Sequence, residues 1–301
     1  MESRNTHWLR PLALVSAAAV VLSACKLYLP ETDDEGDGEV TFAIQEVPHA
    51  PVSRVVLAVE AVELERANGN VREVDLSGNP QTVDLLPADE VADPQARVVF
   101  SRESLPAGEY QRLTLVVDTG NSFVDSPVTG ASRDLILADG GDRLDFDASF
   151  RLEGDDVEEL VLAIDLHAGL RANDDDYELA AEHFITTDAS SGLLEFPVLP
   201  GCPGADELGL YFFEGEDRNA RELGDGDGPW FSMRPETNRP GFSVPYVPSG
   251  TYTVWYTCDA DEDEPDAING IGFEESLNLD IEDERCSRLE FGGPRGEPGS
   301  C

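Results

Sequence analysis

The alternation of apolar and polar residues at every second position most constrains what this chain can fold into. Residues 143–153 read RLDFDASFRLE, in which every second side chain from Leu144 to Leu152 is apolar. Successive side chains of a strand point to opposite faces, so this pattern indicates a strand with one buried face. Similar runs recur between clusters of Gly, Pro and Asp, which predicts an all-β fold of antiparallel β-sandwiches.

The predicted strands form two groups. The first group comprises residues 40–47, 52–66, 110–118, 134–139, 143–153, 159–169 and 177–187. The second group comprises residues 193–199, 208–215, 241–247, 251–258, 275–282 and 286–291. We therefore expect two β-sandwich domains, at residues 40–187 and 192–301. The best helix candidate is a weak pattern at residues 88–92, which Pro94 ends.

One short motif occurs in both groups. Residues 105–110 read LPAGEY and residues 247–252 read VPSGTY. Proline followed two residues later by glycine suits a tight turn into the next strand. The rings of Tyr110 and Tyr252 can then pack inward while each hydroxyl bonds nearby backbone, as in a tyrosine corner. The motif predicts a structural role in two related sandwiches.

The first 25 residues read as an export signal. Two arginines precede an apolar stretch over residues 12–22, which is too short to span a membrane as a helix. Residues 22–25, LSAC, resemble the lipobox of bacterial lipoproteins. An ordinary signal peptide with a chance cysteine is the alternative.

The lipobox resemblance implies how the chain is processed and where it resides. A peptidase would cut between Ala24 and Cys25, and the thiol of Cys25 would carry a diacylglycerol with acyl chains such as palmitate. Two or three acyl chains anchor a protein stably in a membrane. Lys26 stands where the sorting rule of double-membraned bacteria reads an aspartate, which favours the outer membrane. The acidic residues 25–39 are expected to be a tether between lipid and fold.

The charge balance excludes several classes of partner. The chain has 62 Asp and Glu against 20 Lys and Arg, a formal net charge of −42. Such a charge repels nucleic acid and anionic lipid surfaces, so we expect neither as a partner. Acid excess with Lys26 as the only lysine is typical of proteins exposed to high salt, which favours a halophilic source. Calcium binding and a simply solvated acidic surface are the alternatives.

The cysteines fit an oxidising compartment. Besides Cys25, the chain has Cys202, Cys258, Cys286 and Cys301, all in its last third. An even number in an exported chain predicts two disulfides, and three pairings are possible. We prefer Cys202–Cys258 with Cys286–Cys301. A zinc site is the alternative, but no Cys-x-x-Cys pair supports it.

The first group of strands resembles a known family. Residues 40–64, the Leu105–Asp118 turn and strand, and residues 160–187 together resemble a bacterial lipoprotein domain, the domain-of-unknown-function family 4382. The family often has Asp-Ala-Pro where this chain has His49-Ala50-Pro51, so any role of that aspartate is not carried over. The resemblance implies a sandwich fold and no reaction. The second group resembles prealbumin-like or CnaB-like sandwiches, in its turn and strands alone.

The candidate site residues match no known catalytic or metal-binding motif. Asp165, His167 and His183 are residue types that ligate metals, but their spacing matches no motif, and no nucleophile elbow, zincin motif or P-loop occurs. We therefore assign no catalytic residue, no metal site and no cofactor. Calcium binding in the acidic turns at residues 33–38, 174–176 and 225–228 stays open, although Ile44 stands where an EF-hand loop requires glutamate.

Aromatic residues cluster in the second group of strands, where core packing is expected and a sugar-binding face is the alternative. They are Tyr211, Phe212, Phe213, Trp230, Tyr252, Trp255 and Tyr256. The sequence thus favours a non-enzymatic, lipid-anchored cell-envelope protein that has a structural role or binds an envelope protein or glycan. The alternatives are a β-sandwich hydrolase and a calcium- or carbohydrate-binding module.

Overall fold

The protein is all-β, as the alternation predicts. Its structure, a computed structural model, describes residues 36–45, 47–49, 51–86, 96–126, 130–173, 175–204, 207–235 and 241–291. The predicted signal segment, Ala24, Cys25 and Cys301 lie outside these residues, as does the helix candidate at 88–92. The described residues form one compact unit.

The first sandwich packs a four-stranded sheet on a nine-stranded one. Its strands are β1 (Asp37–Gln45), β2 (Arg54–Arg66), β3 (Val71–Asp75), β4 (Gln81–Asp84), β5 (Ala96–Pro106), β6 (Gly108–Val117), β7 (Phe123–Asp125), β8 (Ser132–Leu137), β9 (Arg143–Leu152), β10 (Val157–Ile164), β11 (Leu170–Asn173), β12 (Asp176–Leu179) and β13 (His183–Thr187). The smaller sheet has the order β13-β10-β1-β5, and the larger one runs β11-β12-β8-β7-β2-β6-β9, with β3 and β4 also paired to β2. Apolar side chains of both sheets share one core.

The second sandwich is smaller and packs a three-stranded sheet on a four-stranded one. Its strands are β14 (Ser191–Phe196), β15 (Gly209–Glu214), β16 (Phe231–Met233), β17 (Phe242–Pro248), β18 (Gly250–Thr257), β19 (Glu275–Ile281) and β20 (Cys286–Arg288). The orders are β17-β14-β20 and β16-β15-β18-β19. Its core also contains Val47, Ala163 and Phe184, which belong to the first sandwich. The two sandwiches therefore share apolar surface, and their division into separately folding domains stays a prediction.

The alternation of apolar and polar residues explains the burial pattern of the strands that are most evident in the sequence. Every second residue of β9 is buried and every other one is exposed, in the register that the alternation predicts. β2 is buried over most of its length. It pairs with β3, β4, β6 and β7 along its two edges, and its apolar side chains belong to the core of the first sandwich. Its near-continuous apolar run is typical of a strand in such a central position.

Several expectations about individual strands were wrong. The predicted strand 159–169 ends at Ile164, because a helical turn, α1 (Leu166–Gly169), follows. The predicted strand 177–187 divides into β12 and β13, which pair in different sheets. β1 begins at Asp37, inside the expected tether, because residues 37–39 pair with β5 and leave acidic side chains outward. The sheets are also mixed, since β1–β10, β8–β12 and β14–β20 pair in parallel.

Both tyrosine turns form as the motif predicts. The hydroxyl of Tyr110 donates to the carbonyl of Pro106 at 2.7 Å, and the hydroxyl of Tyr252 donates to the carbonyl of Pro248 at 2.9 Å. Gly108 has φ +142°, and a Cβ at that position would lie 2.4 Å from the guanidinium of Arg66. The turn therefore needs glycine for its conformation, and a larger residue would also displace the end of the Arg66 side chain.

Replacing Tyr110 or Tyr252 by phenylalanine is expected to reduce the free energy of unfolding by about 1 kcal/mol each, since one buried hydrogen bond is lost while the ring stays packed. Urea unfolding followed by circular dichroism measures this. Tyr177→Phe is the control, because the ring of Tyr177 is half-buried and contacts Arg133 through its face. A loss in the control as large as in the two turn variants would contradict the role of the corner bonds.

Candidate functional site

The junction between the two sandwiches contains a buried carboxylate that bonds to both of them. Asp165 follows β10 and caps α1, accepting a hydrogen bond from the backbone N–H of Ala168 at 2.9 Å. From the second sandwich it accepts the backbone N–H of Ser232 at 2.6 Å and the Ser232 hydroxyl at 2.8 Å. Its side chain thus bonds β16 to α1.

The environment of Asp165 shifts its ionisation strongly. Burial raises the pKa of this carboxyl to about 7, while the hydrogen bonds from Ala168 and Ser232 act in the opposite direction. Stability from a raised carboxyl pKa is fully present below its ordinary value of 3.8 and is lost as the pH rises through about 7. Asp165 alone would therefore make the fold more stable in acid.

Two buried histidines lie at the same junction. His49 precedes β2 and forms an isolated bridge with Arg234, directly after β16. His167 lies in α1, with its ring 6.4 Å from that of His49 and 5.4 Å from that of Tyr211 on β15, measured between centroids. Burial, followed by the charge of Arg234, lowers the pKa of His49 to about 3 and holds the pKa of His167 well below 6.5.

A loop of the second sandwich closes the far side of this polar junction. The hydroxyl of Tyr211 donates to Asp263 at 2.8 Å, and Asp263 also accepts the backbone N–H of Leu223. Burial raises the pKa of Asp263, and burial together with the Asp263 charge raises the pKa of Tyr211 well above 10. Arg171 of β11 pairs with Asp266 in the same loop.

Aromatic packing flanks the polar groups. Phe184 of β13 stacks on Trp230 with ring centroids 5.1 Å apart and meets Phe231 edge-on at 4.7 Å. Such pairs contribute beyond the area they bury. The junction thus joins an apolar contact and an enclosed polar cluster, which suits a fixed arrangement of the two sandwiches more than contact with a substrate.

The structure separates the residues that the sequence considered as metal ligands. Asp165 and His167 meet at the junction, whereas the ring nitrogens of His183 contact the carbonyls of Ala181 and Asp147 in the first sandwich. Within the described ranges, no cluster of three or more His, Cys, Asp or Glu side chains is arranged to hold a metal ion. His49 was not among the expected ligands, and its contact with His167 spans 118 residues without a local pattern that reveals it.

Of the three acidic turns, the structure describes the one at residues 225–228 completely and the other two only in part. In the 225–228 turn, the carboxylate of Asp225 pairs with Arg221 at 2.9 Å and accepts the backbone N–H of Asp227. Asp33, Glu35 and Asp174 lie outside the described residues. Calcium binding in these turns stays the alternative that the sequence allows.

The disulfide Cys202–Cys258 is present, as the preferred pairing has it, with Cα atoms 5.4 Å apart. It fixes the segment before β15 to the end of β18, directly before the loop that carries Asp263. Cys286 is also disulfide-bonded, but Cys301 lies outside the described residues. The Cys286–Cys301 pairing therefore stays a prediction.

The aromatic cluster of the second sandwich packs mostly inward, as expected. Tyr211, Phe212, Phe213 and Tyr252 are buried. Trp255 is half-buried on the opposite face of β18 and donates its ring N–H to the carbonyl of Arg218. These contacts give the rings a structural role and do not single out a sugar-binding face.

Two clefts lie beside the connection between the sandwiches. One of about 600 Å³ is lined by Ser191, Gly192, Tyr246, Glu284 and Arg285, among others. The other, of about 440 Å³, lies between Phe150, Ile185 and Ser249. Charged groups of both signs and apolar rings line them.

Among the comparisons with known proteins, the clearest match is to the first sandwich. Residues 37–181 match the family described as "Domain of unknown function (DUF4382)". No curated protein matches the chain. In the part of the chain that the structure describes, no helix has the length and apolar character needed to cross a membrane.

Solved structures give only distant similarity. The Bacillus anthracis TIE protein is 12% identical over 83% of this chain, with a TM-score of 0.18, and the chain spans 33% of that protein's length. The fimbrial anchor protein Mfa2 from Porphyromonas gingivalis is 13% identical over 78% of this chain and 83% of its own, with a TM-score of 0.18. Scores this low carry no conclusion about fold or function. The family match confirms the resemblance of the first sandwich to DUF4382 over residues 37–181.

Proposed function

We propose that this chain is a non-enzymatic, lipid-anchored protein of the cell envelope, attached through Cys25 and displaying two joined β-sandwiches. The observation that carries the proposal is the sequence LSAC at residues 22–25, directly after an apolar export segment. The short acidic stretch after Cys25 then separates the lipid from β1. Lys26 favours the outer membrane.

The geometry of the junction supports a display or scaffolding role. Asp165, His49 and His167 are enclosed, so the titratable groups with the most altered pKa values do not face a substrate cleft. Perturbed groups in an open cleft would favour an enzyme, whereas enclosed ones favour a structural contact. The partner we propose is a protein or glycan of the envelope, and nucleic acid is disfavoured by the charge of −42.

Replacing Cys25 by alanine is expected to remove the anchor and shift most of the protein from the membrane fraction to the soluble fraction. The reason is that acyl chains stabilise membrane binding by about 0.8 kcal/mol per buried methylene group. Fractionation of native cells followed by immunoblotting measures the shift.

Lys26→Gln is the matched control, because it changes the adjacent residue and keeps the thiol. Membrane retention of the Cys25→Ala protein would contradict the proposal. Esterase and glycosidase activity in the purified native protein would instead favour the hydrolase alternative.

A further inference from the structure

We propose that the cluster of His49, His167 and Arg234 is an acid-sensitive latch, in which protonation of the two histidines releases α1 from β16 while the core of the first sandwich stays folded. The inference goes beyond membrane attachment and does not depend on it. It rests on the enclosed geometry of the junction, on the hydrogen-bond state of the two rings and on the charges that face them.

The two rings meet in an enclosed space that neither sandwich forms alone. His49 enters from the segment between β1 and β2, and His167 enters from α1. The backbone N–H of Arg234 donates to the carbonyl of Pro48 at 3.1 Å, which holds the end of β16 against the His49 segment. Each of the three side chains is buried. A change of charge there acts on the contact between the sandwiches.

The hydrogen bonds of the two rings suit neutral imidazoles. The Nδ1 atoms of His49 and His167 are buried, and neither has a hydrogen-bond partner among the described residues. The Nε2 atom of His167 lies 3.4 Å from the carbonyl of Ala260. A neutral ring tolerates an unused acceptor nitrogen, but an imidazolium must donate from both nitrogens. Protonation would therefore leave a buried N–H donor unsatisfied.

Among the described residues, no negatively charged side chain hydrogen-bonds to either ring. The charge of Arg234, directly after β16, acts on both rings, and the ring of His167 meets the ring of Tyr211 on β15 edge-on. The nearby carboxylates are Asp165, which accepts from Ala168 and Ser232, and Asp263, which accepts from Tyr211 and Leu223. Neither carboxylate hydrogen-bonds to a histidine ring among the described residues. An imidazolium would thus add a positive charge beside Arg234 in a site with little solvent.

The sign of the pH dependence follows from these groups. Lowered histidine pKa values contribute stability that is fully present above about 6.5 and is lost as the pH falls towards about 3. The raised pKa values of Asp165 and Asp263 act in the opposite direction. Hydrogen bonds to both carboxyls favour their charged form and limit this effect, whereas each protonated histidine would have a buried N–H without an acceptor. We therefore expect acid to weaken the junction. The apolar core of the first sandwich contains none of these titrating groups, so we expect it to stay folded when the junction opens.

Hydrogen exchange of the detergent-solubilised full chain, followed by mass spectrometry between about pH 7.5 and pH 4.5, tests the latch. After correction for intrinsic exchange rates, we expect protection in α1, β16 and the loop after Cys258 to fall at least about tenfold in acid. Protection in β6 and β9 should persist. In a background with Trp8→Phe and Trp255→Phe, the fluorescence of Trp230 gives a second readout, because its ring stacks on Phe184 across the junction.

The variants separate the latch from general acid unfolding. The double variant His49→Gln and His167→Gln is expected to flatten the pH dependence of junction opening, even if it lowers stability at every pH. His183→Gln is the control, since the ring of this histidine contacts carbonyls and Phe146 of the first sandwich and the variant should keep the wild-type slope. An unchanged slope in the double variant, or loss of protection in β6 and β9 at the same pH as in α1, would overturn the proposal.

Discussion

Replacing Asp165 by alanine is expected to lower the free energy of unfolding by about 2–4 kcal/mol. The variant loses the cap of α1 and leaves the backbone N–H of Ser232 buried without an acceptor. Relief of the burial of a carboxyl whose pKa is raised to about 7 offsets part of this loss. Urea unfolding at neutral pH, with circular dichroism as the probe, measures the difference.

Asp118→Ala is the matched control for this prediction. Asp118 also caps a short helical turn, accepting the backbone N–H of Gly120 at 3.0 Å, but at an exposed position within the first sandwich. Its loss is expected to lower stability by about 1 kcal/mol or less. Equal effects of the two substitutions would show that the bond from Asp165 to Ser232 adds nothing to the junction.

Removal of the Cys202–Cys258 disulfide, by replacing both residues with serine, is expected to destabilise the second sandwich by about 4 kcal/mol. The bond closes a loop between residues 56 apart, and loops of this length restrict the unfolded chain substantially. Hydrogen exchange should show the loss first in β15 and β18, whereas β6 and β9 keep their protection. Denaturant titration gives the total effect.

Cys286→Ser provides the comparison for the disulfide. In the predicted pairing with Cys301 it closes a loop of only about 15 residues, for which the expected contribution is about 3 kcal/mol. The two variants should also lose protection in different strands. Cys286 begins β20 in the three-stranded sheet, so Cys286→Ser should affect that sheet first. Wild-type stability in the Cys202→Ser and Cys258→Ser double variant would contradict the structural role of that bond.

The sequence correctly predicted those features of the fold that neighbouring residues determine. The alternation in β9 predicted its buried face residue by residue, and the motif at residues 105–110 predicted that the Tyr110 hydroxyl bonds nearby backbone, which is the carbonyl of Pro106. Both features lie within one strand or one turn. Side-chain direction and turn conformation are there set by neighbouring residues.

The strands that the sequence missed have weak or interrupted patterns. β5 contains the polar run Ser101–Ser104, and Arg102 has φ +51° where the strand bulges against β1. β3 exposes four of its five residues because it lies at the edge of a sheet. Edge strands bury little, so their sequences need no clear alternation.

The junction could not be predicted from the sequence, because its members come from distant segments. Asp165 accepts hydrogen bonds from Ser232, which is 67 residues away in the sequence, and the ring of His167 contacts the carbonyl of Ala260, which is 93 residues away. Sequence reasoning noticed Asp165 and His167 as residue types, but it grouped them with His183, which the fold places elsewhere. No spacing rule connects residues whose contact exists only after two sandwiches pack together.

The most direct test of the central claim is the mass of the amino-terminal peptide of the protein purified from native envelopes. The account predicts a peptide that begins at Cys25 and carries a diacylglyceryl group on its sulfur, with or without a further acyl chain on its amino group. A mature amino terminus at Lys26 or later, without lipid, would contradict the proposal that Cys25 anchors this chain.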